Sequence, residues 1–150
     1  IPKQFGMPAP AFKACAVSGA NAVSLKMTQM KQAFHVDWYT VPVSAPPITS
    51  PYTEWDVQYA KPLKPYHALG ISMRMDVCRN DNGGPDLRFR AWYPKWSAEL
   101  RITYNPAMIS LNQLLGLFRS GGFGCGIGEW RPSSPICRSG EFGRFEVVTK

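Results

Sequence analysis

The sequence predicts an α+β fold of the ferredoxin-like, split βαβ kind: an antiparallel sheet backed by two helices, with a long proline-rich insertion. Three observations predict it. An amphipathic stretch of small residues lies near the start, several stretches of period two fill the middle, and a capped apolar helix is followed by a last alternating stretch. With 150 residues the chain reads as one domain, 1–150, long enough to bury a core.

Each element has its own signal. Pro8 and Pro10 precede "AFKACAVSGANAV", where Phe12, Cys15, Ala16, Gly19, Ala20 and Val23 recur on one helical face. Small residues there let a helix lie close to its neighbour, although Gly19 weakens its end. "AFHVDWYTVPV" sets Phe34, Val36 and Trp38 against His35, Asp37 and Tyr39, a half-buried strand that Pro42 ends. Residues 44–65 hold Pro46, Pro47, Pro51, Pro62 and Pro65 among Tyr52, Trp55 and Tyr59, and read as an inserted loop or arm.

Alternation resumes in "ALGISMRMDVC", with Ile71, Met73, Met75 and Val77 opposite Ser72, Arg74, Asp76 and Cys78. Asn82-Gly83 marks a hairpin into "LRFRAW". "SAELRITY" points Ala98, Leu100, Ile102 and Tyr104 inward. Ser110 and Gln113 form a capping box, Ile109 staples the start, and Leu114, Leu115, Leu117 and Phe118 supply the apolar face before Gly121 as C-cap. "FGRFEVV" then predicts a final strand with Gly143, Phe145 and Val147 on one side. A strand upstream of Ile1 would complete β-α-β-β-α-β.

Composition narrows the function. Hydrophobic residues make up 45% and charged residues 18%, as in a globular chain. No apolar run reaches the length of a membrane span and no secretory signal is visible, so a cytoplasmic protein with no membrane partner is expected. A net charge of +7 favours a polyanionic partner. Cys15, Cys78, Cys125 and Cys137 show no C-x-x-C spacing and no zinc pattern with His35 or His67, so no metal and no cofactor are expected, and the thiols read as small buried groups. The two histidines do not pair by sequence, Asp81 and Asp86 bracket a turn, and no Ser-His-Asp set is present. The expectation is therefore a protein that is not an enzyme.

The stretch from Gly121 to Val147 holds more than half of the chain's 13 glycines. It lacks the Lys-Ser or Lys-Thr of a P-loop, and it follows a helix where a dinucleotide loop would follow a strand. What remains is close backbone approach and anion-binding amides at Gly124, Gly126 and Gly128, with Arg131, Arg138 and Arg144 pairing phosphate oxygens and Trp130 stacking a base. A tight crossover with Trp130 in the core is the competing account of the same residues. Arg88 and Arg90, beside Trp92, Tyr93, Lys95 and Trp96, suggest a second single-strand surface, although the RNP1 pattern of RRM proteins is missing.

"AFKACAVSGA", "PKWSAELRITYN" and "FGCGIGEWRPSSPICRSGEFGRFEV" resemble an uncharacterised family of phage and prophage proteins that ends in G-x-G-x-W-R-P followed by G-x-F-G-R-F-x-V. Gly126, Gly128, Trp130, Arg131, Pro132, Gly140, Phe142, Gly143, Arg144, Phe145 and Val147 carry the match; the insert "SSPIC" lengthens the loop. More distantly the chain is similar to the RAMP superfamily, the RRM-like proteins of CRISPR complexes, which carry a glycine-rich loop between the final helix and last strand. The resemblance implies binding of single-stranded nucleic acid, RNA favoured, by a homo-oligomer with arm-like insertions, 44–65 being the candidate arm, in the cytoplasm of the phage's host. The alternative is a protein–protein module, such as an anti-defence factor docking on a host defence complex through Tyr52, Trp55 and Tyr59.

Overall fold

The computed structural model describes residues 4–79, 81–135 and 140–149. In chain order the elements are β1 (Gly6–Pro8), α1 (Ala9–Ser18), a 3-10 turn (Ala20–Val23), α2 (Met27–Ala33), β2 (Phe34–Val36), β3 (Thr40–Ser44), α3 (Glu54–Gln58), α4 (Ala60–His67), β4 (Ser72–Arg79), β5 (Pro85–Trp92), β6 (Ser97–Ala98), β7 (Ile102–Tyr104) and α5 (Leu111–Gly124). The fold is α+β with antiparallel strand pairs. The strands lie in three small sheets, ordered β1-β3-β6, β2-β7 and β4-β5; among the described residues no single sheet gathers them. The chain forms two compact units, Ile1–Gly6 with Pro42–Glu99, and Met7–Val41 with Leu100–Lys150.

The second unit packs α1, α2 and α5 around the β2–β7 pair, whose register sets Phe34 against Tyr104 and Val36 against Ile102. Phe12, Phe34, Leu114, Leu117 and Phe118 are buried, and the Phe34 and Phe118 rings meet edge-on at 5.7 Å. Each such side chain contributes about 1.5–3 kcal/mol on burial. The small residues of α1 act as the sequence predicts. A Cβ on Gly19 would lie 2.5 Å from the Gly121 amide nitrogen, so α1 and α5 touch backbone to backbone.

α5 starts where expected. Ser110 Oγ accepts from the Gln113 amide, and the Gln113 side chain accepts from the Ser110 amide. Ser110→Ala should cost about 1 kcal/mol and lower Tm by about 2–4 °C, measurable by thermal denaturation.

Several expectations need correction. The first helix stops at Ser18, a 3-10 turn takes over, and Val23 is 38% exposed. The stretch 34–44 is two strands, because Trp38 at φ +75° turns the chain and sends β2 to β7 and β3 to β6. The stretch 97–104 splits likewise, though Ala98, Leu100, Ile102 and Tyr104 keep the more covered side. Gly121 is no cap: α5 continues to Gly124, and Gly121's carbonyl accepts from both Cys125 and Gly126. Residues 142–149 form no strand. Left-handed Gly143 breaks the pleat, and the segment is pinned by single bonds, Ile127 N–H to the Gly143 carbonyl and Phe145 N–H to the Gly122 carbonyl, each 3.0 Å.

In the first unit, the stretch read as a loop or arm folds from Glu54 into α3 and α4. Thr53 and Asp56 form the capping box of α3. Pro62 falls in the first turn of α4, where its missing N–H costs little, whereas Pro65 stands inside that helix. β4 and β5 form the expected hairpin, turned at Gly83 with φ +81°.

Candidate nucleic-acid interface

The predicted phosphate loop is largely a self-locking segment. Its glycines permit backbone contacts that any Cβ would block. A Cβ on Gly121 would strike the Cys15 carbonyl, one on Gly122 the Phe145 carbonyl, one on Gly140 the Trp130 carbonyl, and one on Gly143 the Ile127 carbonyl. The Gly126 amide, expected to face a ligand, is used internally, as are those of neighbouring Ile127 and Ser133. Gly126 donates to the Gly121 carbonyl at 2.9 Å, Ile127 to that of Gly143, and Ser133 to that of Cys125.

A shorter piece stays open to another role. Gly126 (φ +71°), Gly128 (φ +78°) and Trp130 (φ +57°) are left-handed at alternate positions. Alternation of this kind turns successive N–H groups toward one side, the arrangement that binds anions in backbone nests. Among the described residues, the N–H groups of Gly128 and Trp130 donate to no other backbone group. Arg131 Nη1 donates to the Gly128 carbonyl at 3.0 Å, which fixes the guanidinium beside these amides. Gly126, Gly128 and Arg131 line an open cleft of about 400 Å³ whose other wall is Ala11, Ala14 and Ser18 of α1.

Cys15 also lines that cleft, but it is no nucleophile. Burial, with the Cys125 thiol adding to it, pushes its pKa up to about 12; the Gly126 amide and the Arg131 charge only partly offset this. Burial raises Cys125 as well. Cys15, Cys78 and Cys125 are free thiols.

The other predicted site residues separate. Gly124 ends α5, exposed, with open space where a Cβ would stand. Trp130 is half-buried, and its carbonyl accepts from Phe142 N–H at 3.0 Å. Arg144 is exposed and pairs with Glu141 at 3.3 Å. Arg138 lies outside the described residues. Arg88 and Arg90 belong to the first unit: Arg88 is exposed beside Asp86 at 3.4 Å, whereas Arg90 is shielded and pairs with buried Asp76 at 3.2 Å.

Of the histidines, His67 is held through Nε2 by Asp56 at 3.0 Å, while exposed His35 meets Lys13 Nζ at 3.0 Å. Sequence reasoning missed a surface in the second unit. Trp38 is 52% and Tyr39 95% exposed, and the Arg101 guanidinium lies 5.3 Å from the Trp38 ring centroid. The left-handed Trp38 breaks the alternation that the sequence shows through it, so the pattern hides a turn.

Among the described residues no helix is long and apolar enough to cross a membrane. No protein-family model, curated protein or solved structure matches the chain.

Proposed function

We propose that the chain is a non-enzymatic protein that binds single-stranded nucleic acid, RNA favoured, with the segment from Gly126 to Arg131 seating phosphates. The observation that carries this reading is the alternating left-handed backbone at 126, 128 and 130 with a guanidinium fixed beside it along the α1 cleft. Holding a tryptophan at φ +57° costs on the order of 1–3 kcal/mol. Strain of that kind is accounted for when the geometry serves a ligand. Exposed Trp38 and Tyr39 add ring faces for bases, and Arg101 stands beside Trp38 as a cation. The net charge of +7 acts in the same direction.

The finer fold is part of the proposal. α1, β2, β7 and α5 follow one another as the inner elements of a split βαβ domain, with residues 37–101 inserted between its middle strands. Phage origin and a place in the host cytoplasm belong to the same reading.

The test is fluorescence anisotropy with a labelled single-stranded RNA, run beside single-stranded DNA and duplex RNA. Arg131→Gln should weaken RNA binding about tenfold, or 1.4 kcal/mol, and reduce the slope of log K against log salt by about 0.7, the loss of one phosphate contact. Equal affinity and slope for parent and variant would refute the assignment.

A further inference from the structure

The β2–β7 pair has a covered side and an open side. Phe34 is buried on the first, against Phe118. The register defines the second. His35 lies opposite Thr103, and Asp37 donates its N–H to the Arg101 carbonyl at 2.8 Å, so His35, Asp37, Thr103 and Arg101 share one side. His35, Thr103 and Arg101 are exposed. Lys13 of α1 joins them at the edge of β2: its Nζ lies 3.0 Å from His35 Nδ1 and 5.8 Å from the centroid of the Phe34 ring. An ammonium group only donates, so His35 Nδ1 accepts and the ring proton sits on Nε2. At the other end the Arg101 guanidinium lies 5.3 Å from the Trp38 ring centroid, and Trp38 stays 52% exposed. Three residues of chain separate positions 35 and 38, which puts them at most about 11 Å apart.

We propose that this open side is a second seat for a single strand, separate from the α1 cleft, with a phosphate on Lys13 and a base stacked on Trp38. The inference rests on the nucleic-acid reading and adds a site to it. Two observations carry it. The first is charge. Among the described residues neither Lys13 nor Arg101 pairs with a carboxylate. An imidazole holds one and a ring the other, so both keep their charge for an outside anion. Asp37, the carboxylate of this side, is occupied by the Thr103 hydroxyl at 3.1 and 3.2 Å from its two oxygens. The second is strain. Trp38 is left-handed at φ +75°, a costly state for a bulky residue. The strain buries no ring: Trp38 and Tyr39, the latter 95% exposed, both face solvent. Displayed rings beside an unpaired cation are what a base and its phosphate require. On the helical wheel Lys13 stands at least about 100° round α1 from Ala11, Ala14 and Ser18, which wall the cleft, so the two seats do not coincide.

The test is fluorescence anisotropy of the whole chain with a labelled single-stranded RNA of about ten nucleotides. Trp38→Gly removes the ring and suits the left-handed backbone. It should weaken binding about tenfold without lowering Tm. Its slope of log K against log salt should match the parent's, since a stacked ring releases no counterion. Trp38→Phe keeps a ring and should keep most of the affinity. Lys13→Gln should instead reduce the slope by about 0.7. A folded Trp38→Gly chain with parental affinity, or a Lys13→Gln chain with the parental slope, overturns the inference. If Arg131→Gln still weakens binding in that case, the nucleic-acid reading stands without it. A parent that binds no single strand overturns both. Should Trp38→Gly fail to fold, the Lys13→Gln slope decides.

Discussion

Gly121→Ala should destabilise the second unit by at least about 3 kcal/mol, while Gly116→Ala in the same helix should stabilise it by about 0.4–1 kcal/mol. Both substitutions give α5 a better helix former, so propensity predicts a gain at each site. Packing reverses the sign at one. The new Cβ at 121 would collide with the Cys15 carbonyl oxygen and sit 2.8 Å from its carbon, while at 116 nothing lies within 4 Å. The obstacle at 121 is backbone, which has no rotamer to move into, so α1 and α5 must separate along a contact that also involves Gly19. Separation would open the core between Phe12, Leu117 and Phe118, all nearly inaccessible to solvent. Urea unfolding of parent and both variants checks the prediction. A Gly121→Ala chain as stable as the parent would mean that the helices do not approach this closely.

These glycines explain how much of the fold was legible. Patterns that depend on a residue's own neighbours could be read: the Ser110–Gln113 capping box, the Asn82-Gly83 turn, and the buried faces of α1 and α5. Patterns set by distant contacts could not. α2 buries only Met30 and Ala33 and has no side-chain cap, so it left neither a stripe nor a start signal. "FGRFEVV" keeps its alternation, Phe145 and Val147 more covered than Arg144 and Glu146, but bonds point by point to the glycine segment rather than to a strand. The glycines of the candidate site carried an ambiguous signal, since close approach to a ligand and close approach to one's own chain require the same residue. Gly122, Gly140 and Gly143 serve the chain itself, and only Gly128 and Trp130, with backbone N–H groups that meet no other described backbone group, are left to the proposed contact. The exposure of Val77, Leu87 and Phe89 on β4–β5 was hidden for a related reason: period two assigns residues to sides without saying which side is covered.

Asp56→Ala should remove about 3–5 kcal/mol from the first unit. Asp56 is 2% exposed and accepts four hydrogen bonds: from Ser72 Oγ at 2.6 Å, Tyr52 N–H at 2.9 Å, His67 Nε2 at 3.0 Å and Thr53 N–H at 3.1 Å. Burial by itself would raise the carboxyl pKa, but these donors outweigh it and hold the group below its ordinary value. Truncation would orphan four donors at once, in a region where water replaces them poorly. The same linkage fixes the pH response. A carboxylate whose folded pKa is depressed contributes stability that is complete above its unfolded pKa of about 3.9 and is lost as pH falls through the folded value. The parent should therefore weaken in acid below about pH 4, and Asp56→Asn should be less stable at neutral pH and show a flatter acid dependence. Denaturant midpoints for the two proteins across that range measure the difference; parallel curves would mean that this carboxylate is not the group responsible. The consequence reaches the surface. Asp56 and Thr53 tie α3 to β4, since Thr53 Oγ1 also donates to the Met73 carbonyl at 2.8 Å, and α3 carries Trp55 onto Phe89.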